Sequence, residues 1–172
     1  MMRRVRALIL AIGAMVVLLG GFTASAAAEP VVTMSGEGWK ARKSFGRTEF
    51  LCESDACGGV AVVGFSKTKV LSNLEDEINK PYANVRAIVN GALIYMFDGQ
   101  DGGIKVSDIH KIATKDYTAI RFTARQGDDV AAVMMIIQGG RAYTIVSAAG
   151  TVKQANDNLA KAFKSADFRR PS

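Results

Sequence analysis

The chain has little of the chemistry from which most active sites are built. Its 172 residues hold one histidine, His110, one tryptophan, Trp39, and two cysteines, Cys52 and Cys57. A single histidine excludes a histidine-rich metal site. The lone cysteine pair leaves no second pair for zinc. Its spacing is not Cys-x-x-Cys, so neither thiol–disulfide exchange nor haem attachment is expected. There is no internal repeat, no low-complexity tract and no Pro/Ser-rich linker, and the prolines number three. Nothing divides the chain into two folded domains.

Residues 1–28 read as an export tag. Arg3, Arg4 and Arg6 give a positive start, Ala7 to Phe22 an apolar run, and Thr23 to Ala28 a small-residue exit with Ala26 and Ala28 at the two positions a signal peptidase requires. Cleavage is expected after Ala28. The rival is an uncleaved anchor, for which the apolar run is short against the roughly 20 residues of a span. No cysteine lies near the cut, which argues against a lipoprotein, and Arg3-Arg4 stands in poor context for twin-arginine export. The signal is of Sec type and the expected location is periplasmic or secreted, with no stable membrane span after cleavage. Residues 29–172 then form a single exported domain, long enough to bury one core. Three of the 22 basic residues and none of the 16 acidic ones fall in the leader, so the remainder carries 19 against 16, a mild +3. That balance gives no reason to expect nucleic acid as a partner.

Outside the cytoplasm Cys52 and Cys57 read as a disulfide. Between them lie Glu53-Ser54-Asp55-Ala56, and Gly58-Gly59 follows. A bridge there closes a short loop, with an entropic gain of about 2 kcal/mol.

The hydrophobic pattern predicts strands at the start and end of the domain. From Trp39 to Phe65 it is β-like. In the first strand Trp39, Ala41 and Phe45 alternate with Lys40, Arg42 and Ser44, and Lys43 interrupts the apolar side. Thr48 to Cys52 is a second short strand, and Gly59 to Phe65 a buried one. Ser72-Asn73-Leu74-Glu75 is a capping box. Leu74, Ile78, Tyr82, Val85, Val89, Ala92 and Met96 follow at helical spacing, with a break expected at Pro81. Asn90-Gly91 is also a hairpin signal, so a pair of strands across Val85 to Phe97 stays open beside the helix.

Ile104 to Ile112, Tyr117 to Ala124, Val130 to Ile137 and Ala142 to Ala148 read as strands, the third apolar on both faces. Gln138-Gly139-Gly140-Arg141 is a tight hairpin. Thr151 to Gln154 is a second capping box, opening a helix with the stripe Val152, Ala155, Leu159, Ala162 and Phe163. The fold class is α+β: a largely antiparallel β-sheet packed with a mid-chain helical segment and a C-terminal helix.

Val130 to Ile137, Arg141-Ala142-Tyr143-Thr144-Ile145-Val146, the helix Val152 to Lys164 and Ser165-Ala166-Asp167-Phe168 together resemble the end of the PsbP/DcrB-like domains. There, two long strands and a tight turn lead into a closing helix. The likeness covers about a quarter of the chain and carries no chemistry. It implies an α-β-α sandwich used as a binding or accessory module, usually without catalysis.

Candidate sites are few. Ser107, Asp108 and His110 lie close in sequence, yet strand alternation turns them to different sides. Asp98 to Gly103 and Gly127-Asp128-Asp129 faintly resemble calcium loops without the required carboxylates. The first does not form a dinucleotide loop either. Ser66 and Ser147 lack a nucleophile elbow. Met134 and Met135 sit in the most apolar strand and read as core. The remaining feature is basic: Lys40, Arg42, Lys43 and Arg47 beside Trp39, with Lys67 and Lys69 later, a candidate surface for an anionic ligand or an acidic envelope protein. The expected function is therefore an exported, non-enzymatic binding or accessory protein without cofactor. An envelope enzyme assembled from scattered residues and a secreted factor acting on another cell are the alternatives.

Overall fold

A computed structural model describes residues 30–44, 47–69, 74–96 and 103–168. The strands are β1 (Trp39–Ser44), β2 (Arg47–Cys52), β3 (Ala61–Lys69), β4 (Lys105–Ala113), β5 (Thr118–Gln126), β6 (Asp129–Gln138) and β7 (Arg141–Ala149). The helices are α1 (Leu74–Asn79), α2 (Val85–Met96) and α3 (Val152–Ser165), and a 3-10 turn spans Asp55–Cys57. The strands form one seven-stranded sheet in the order β1-β2-β3-β7-β6-β5-β4. Every neighbouring pair is antiparallel.

The sheet is buried on both faces because helices cover both. On one face Ile120, Phe122, Val133, Met135 and Ile137 pack with Ile78 of α1 and Val89 of α2. On the other Val63, Met134, Ile136 and Ile145 pack with Ala155, Leu159 and Ala162 of α3. This is the α+β fold expected from the pattern, layered as the α-β-α sandwich that the resemblance implies. Met134 and Met135 point into opposite cores, as strand alternation requires.

Local chemistry sets the turns and helix ends. Gly139 and Gly140 join β6 to β7 at φ 57° and 71°, the left-handed region a two-residue hairpin needs. Their amides donate to the Glu75 carboxylate at 3.3 and 2.8 Å, fastening α1 to the hairpin. Ser72, the N-cap expected for α1, lies outside the described residues. The chain breaks after Asn79, as Pro81 dictates. A new helix starts where Asn84 Oδ1 accepts the Ala87 amide at 3.0 Å, a cap the sequence reading missed. α2 then runs unbroken through Asn90-Gly91, which settles the open choice in favour of helix.

At α3, Thr151 Oγ1 accepts the Gln154 amide at 3.1 Å, so half of the second capping box is formed. The Gln154 side chain donates to the Cys57 carbonyl at 2.8 Å. Asn158, unassigned to the apolar stripe, is buried in it.

Leu159 is fully enclosed between α3 and the sheet, whereas Val31 is 66 % exposed. Leu159→Ala is expected to cost about 2–5 kcal/mol, with Val31→Ala close to neutral. The shift in urea midpoint of the two variants measures the difference.

Candidate functional site

Pairing divides the five sequence-predicted residues between the two faces of the sheet. In the β1–β2 register Trp39 lies opposite Cys52, Ala41 opposite Phe50 and Lys43 opposite Thr48, while Lys40 lies opposite Leu51, Arg42 opposite Glu49 and Ser44 opposite Arg47. Phe50 and Trp39 belong to the α3-side core, and Leu51 packs on the α1/α2 side. Since side chains alternate, Lys40, Arg42 and Arg47 share the α1/α2 face. Trp39 and Lys43 take the α3 face, where Trp39 packs against the core cluster that holds Phe50. The indole is therefore not a neighbour of the three gathered cations.

Of the three, Arg47 lines a small recess between β2, β3 and β7. Glu49 pairs with Gly64 of β3, which pairs with Val146 of β7, and Ser66 pairs with Thr144. Arg47, Glu49, Gly64, Phe65, Ser66, Thr144 and Val146 line a small recess of about 10 Å³, room for about one water-sized group. The Glu49 carboxylate is buried and held by Arg42, whose Nε donates to Oε2 at 2.8 Å and whose Nη2 contacts the same oxygen. A charge removed from water survives only with such a partner.

Two polar atoms of the lining residues are buried without a hydrogen bond: Arg47 Nη1 and Thr144 Oγ1. Thr144 itself is 1 % exposed. Such groups cost about 1–3 kcal/mol each when left unpaired. Two guanidiniums and one carboxylate give the cluster a formal +1, and arginine does not deprotonate in proteins. The arrangement can hold a negative group.

The sequence reading missed Glu49, Gly64, Ser66 and Thr144 as a group. Thr144 carried a signal, being with Ser147 one of two aliphatic hydroxyls at buried positions of β7. The other candidates stay apart from the recess. His110 is exposed on edge strand β4, opposite Arg121, and Arg121 donates to Asn156 Oδ1 at 2.7 Å. Ser107 bonds Asp108 Oδ2 at 3.0 Å, at a bulge where Asp108 takes φ 53°. Lys67 and Lys69 of β3 lie opposite Tyr143 and Arg141, on the α3 face. Asp98 to Gly102 lies outside the described residues. Among the described residues no three His, Cys, Asp or Glu side chains are grouped to hold a metal, and no helix is long and apolar enough to cross a membrane. On the outer face of α3, a hydrogen bond from Lys153 to Asp157 at 2.7 Å raises the lysine pKa above its ordinary value.

Cys52 and Cys57 form a disulfide, joining the end of β2 to the 3-10 turn with their Cα atoms 6.5 Å apart. Gly58 closes the turn at φ 80°, its amide on Asp55 O at 2.9 Å. Gly38 passes so near that a Cβ there would lie 2.8 Å from Cys52 Sγ and 2.3 Å from Ser54 Oγ, so no other residue fits. The Gln154 bond to Cys57 docks this loop on the start of α3.

No protein-family model matches the chain, and no curated protein matches it. Among solved structures it is similar to the solution structure of cyanobacterial PsbP (CyanoP) from Synechocystis sp. PCC 6803, at 9 % identity and a TM-score of 0.45, over 87 % of this chain and 98 % of that one. It is also similar to human StAR-related lipid transfer protein 5, at 12 % identity and a TM-score of 0.26, over 76 % of this chain and 88 % of that one. No conclusion about ligand or partner follows from likenesses this distant.

Opening the disulfide, by reductant or as Cys52→Ala with Cys57→Ala, is expected to cost about 2 kcal/mol. Amide exchange should accelerate first in β2 and at the amino end of α3. Denaturation with and without reductant, together with exchange of the Gln154 amide, checks this.

Proposed function

We propose that the chain is an exported binding module without catalysis of its own, which holds an anionic ligand or the acidic surface of an envelope protein. The observation that carries the reading is the register that gathers Lys40, Arg42 and Arg47 on one face of the sheet. Reaction chemistry has no comparable support. Ser66 lines the recess, but the chain's one histidine stands on edge strand β4, at the other side of the sheet.

Export rests on the leader-like first 28 residues and is supported by the disulfide, which forms and persists in oxidising compartments. The processed protein would start at Glu29. Only two residues then precede Val31, and Val32 is already buried in the α3-side core.

The location is tested by mass spectrometry of protein recovered from the cell envelope. A mature amino terminus at Glu29 with no free thiol is expected, and an intact Met1 would overturn the reading. The binding face is tested by recovery of an acidic partner on immobilised protein. Lys40→Ala with Arg47→Ala is expected to reduce recovery, with the difference fading as salt rises from about 0.05 to 0.5 M. Recovery unchanged by both the substitutions and the salt would end the proposal.

A further inference from the structure

We infer that β1 is a docking edge for an extended acidic segment of a partner protein, which adds to the sheet as one more strand. This deepens the binding reading above and rests on it. The sheet has two edges, β1 and β4, and they differ. β4 is irregular: its pairing with β5 shifts between Ser107 and His110, where Asp108 takes φ 53°. A bulge of this kind spoils an edge as a template. β1 keeps register with β2 at every position from Trp39 to Ser44. Among the described residues no strand lies beyond it. Alternate residues of an edge strand turn their N–H and C=O groups outward. The edge is also held in place. Arg42 is tied to Glu49 of β2, and Gly38, directly before β1, passes against Cys52. A preorganised edge lowers the ordering cost of binding.

Charge selects the occupant. β1 carries Lys40, Arg42 and Lys43 and no acid. All three are exposed, as is Ala41. Arg42 is engaged by Glu49, whereas Lys40 and Lys43 make no ion pair among the described residues. Lys40 and Lys43 project to opposite faces of the sheet, so positive charge borders the edge on both sides. A second copy of the chain is a poor occupant. Antiparallel pairing of β1 with its own copy sets cation opposite cation in each central register: Lys40 faces Lys43, or Lys40 faces Arg42, or Arg42 faces itself. Like charges directly opposite destabilise a ladder, and an acidic strand gains where a copy loses. Every neighbouring pair in the sheet is antiparallel, and the added strand continues that order. Its acids fall opposite Lys40 and Lys43. Its apolar residues fall opposite Ala41 and Trp39, whose indole is half-buried against the α3-side core. The backbone ladder supplies affinity and the alternate side chains supply specificity.

The test uses the whole processed protein, isotopically labelled, and a capped peptide, Thr-Asp-Thr-Val-Glu-Val-Thr. Laid antiparallel to β1, the peptide sets its aspartate opposite Lys43, its glutamate opposite Lys40 and its valines opposite Ala41 and Trp39. Two further peptides are controls. One carries asparagine and glutamine in place of the acids. The other has its central threonine and valine replaced by proline, which keeps the charge and removes a ladder donor whichever way the strand faces. Saturable shifts of the amides of residues 39–43 are expected with the acidic peptide, together with slower hydrogen exchange at alternate amides of β1. The neutral peptide is expected to bind about tenfold more weakly, and the proline peptide to give no exchange protection.

Lys40→Ala with Lys43→Ala is expected to weaken the acidic peptide about tenfold. Both side chains are exposed, so the fold is kept. Lys105→Ala, on the opposite edge, is expected to leave binding unchanged. The proposal is overturned by absent or unsaturable shifts in β1, by equal binding of the neutral or the proline peptide, or by unaltered binding in the double variant. The two readings fail separately. Salt-dependent recovery of an acidic partner without protection of the β1 amides removes strand addition alone. Protection of β1 by the peptide, with no acidic partner recovered from the envelope, removes the envelope-partner reading alone.

Discussion

The pairing of β6 with β7 is the interaction on which the rest of the sandwich depends. It places Met134 against Ile145, Val133 against Val146 and Met135 against Thr144. Each pair hands side chains to one of the two cores, so both helical layers rest on this ladder. A slip of one residue would send every one of them to the opposite face. The register is held at the closed end by Gly139 and Gly140, whose amides are tied to Glu75 of α1. At the far end β7 runs directly into α3 through the Thr151 cap. One hairpin thus fixes the sheet, the seat of α1 and the start of α3.

Against that background the buried hydroxyls of Thr144 and Ser66 are an exception made by the same ladder. Met135 sits opposite Thr144, and Thr144 in turn opposite Ser66. Along this row the face changes from apolar to polar between β6 and β3. Purely for stability, apolar side chains would serve better there, since buried polar atoms without partners are costly. Ser147 Oγ and Asn158 Nδ2, also unpaired, lie in the α3-side layer. There the helix covers the sheet.

The parts of this structure that are legible in the sequence are those whose causes are local. The run Val130 to Ile137 is apolar at every position and proves to be a strand buried on both faces. The two-glycine turn and the stripe of α3 are equally direct. The split of the basic residues follows from alternation alone once Trp39 is read as core, yet a cluster in sequence invites reading as a cluster in space. The recess is not legible because β3 pairs with β7 across an excursion containing α1, α2 and three strands. No spacing rule brings Arg47 to Thr144. Asn84 was hidden for another reason: the stripe from Leu74 to Met96 keeps its helical period across the break, so the pattern masks the second cap.

The disulfide belongs to the same argument. β1 and β2 are the outer two strands on their side of the sheet, and of their apolar side chains only Phe50 and Cys52 are buried. Strands with so little buried area are the first to open. Cys52 ends β2, and its bridge ties that end to a loop docked on α3 through Gln154. The middle of β2 is tied to β1 by Arg42 and Glu49. With both points fixed, the strand has one register left, and that register puts Arg47 at the recess. A covalent clamp at one end of β2 therefore positions a guanidinium at the other. Redox conditions reach the position of Arg47 by that route, because an oxidising environment preserves the clamp.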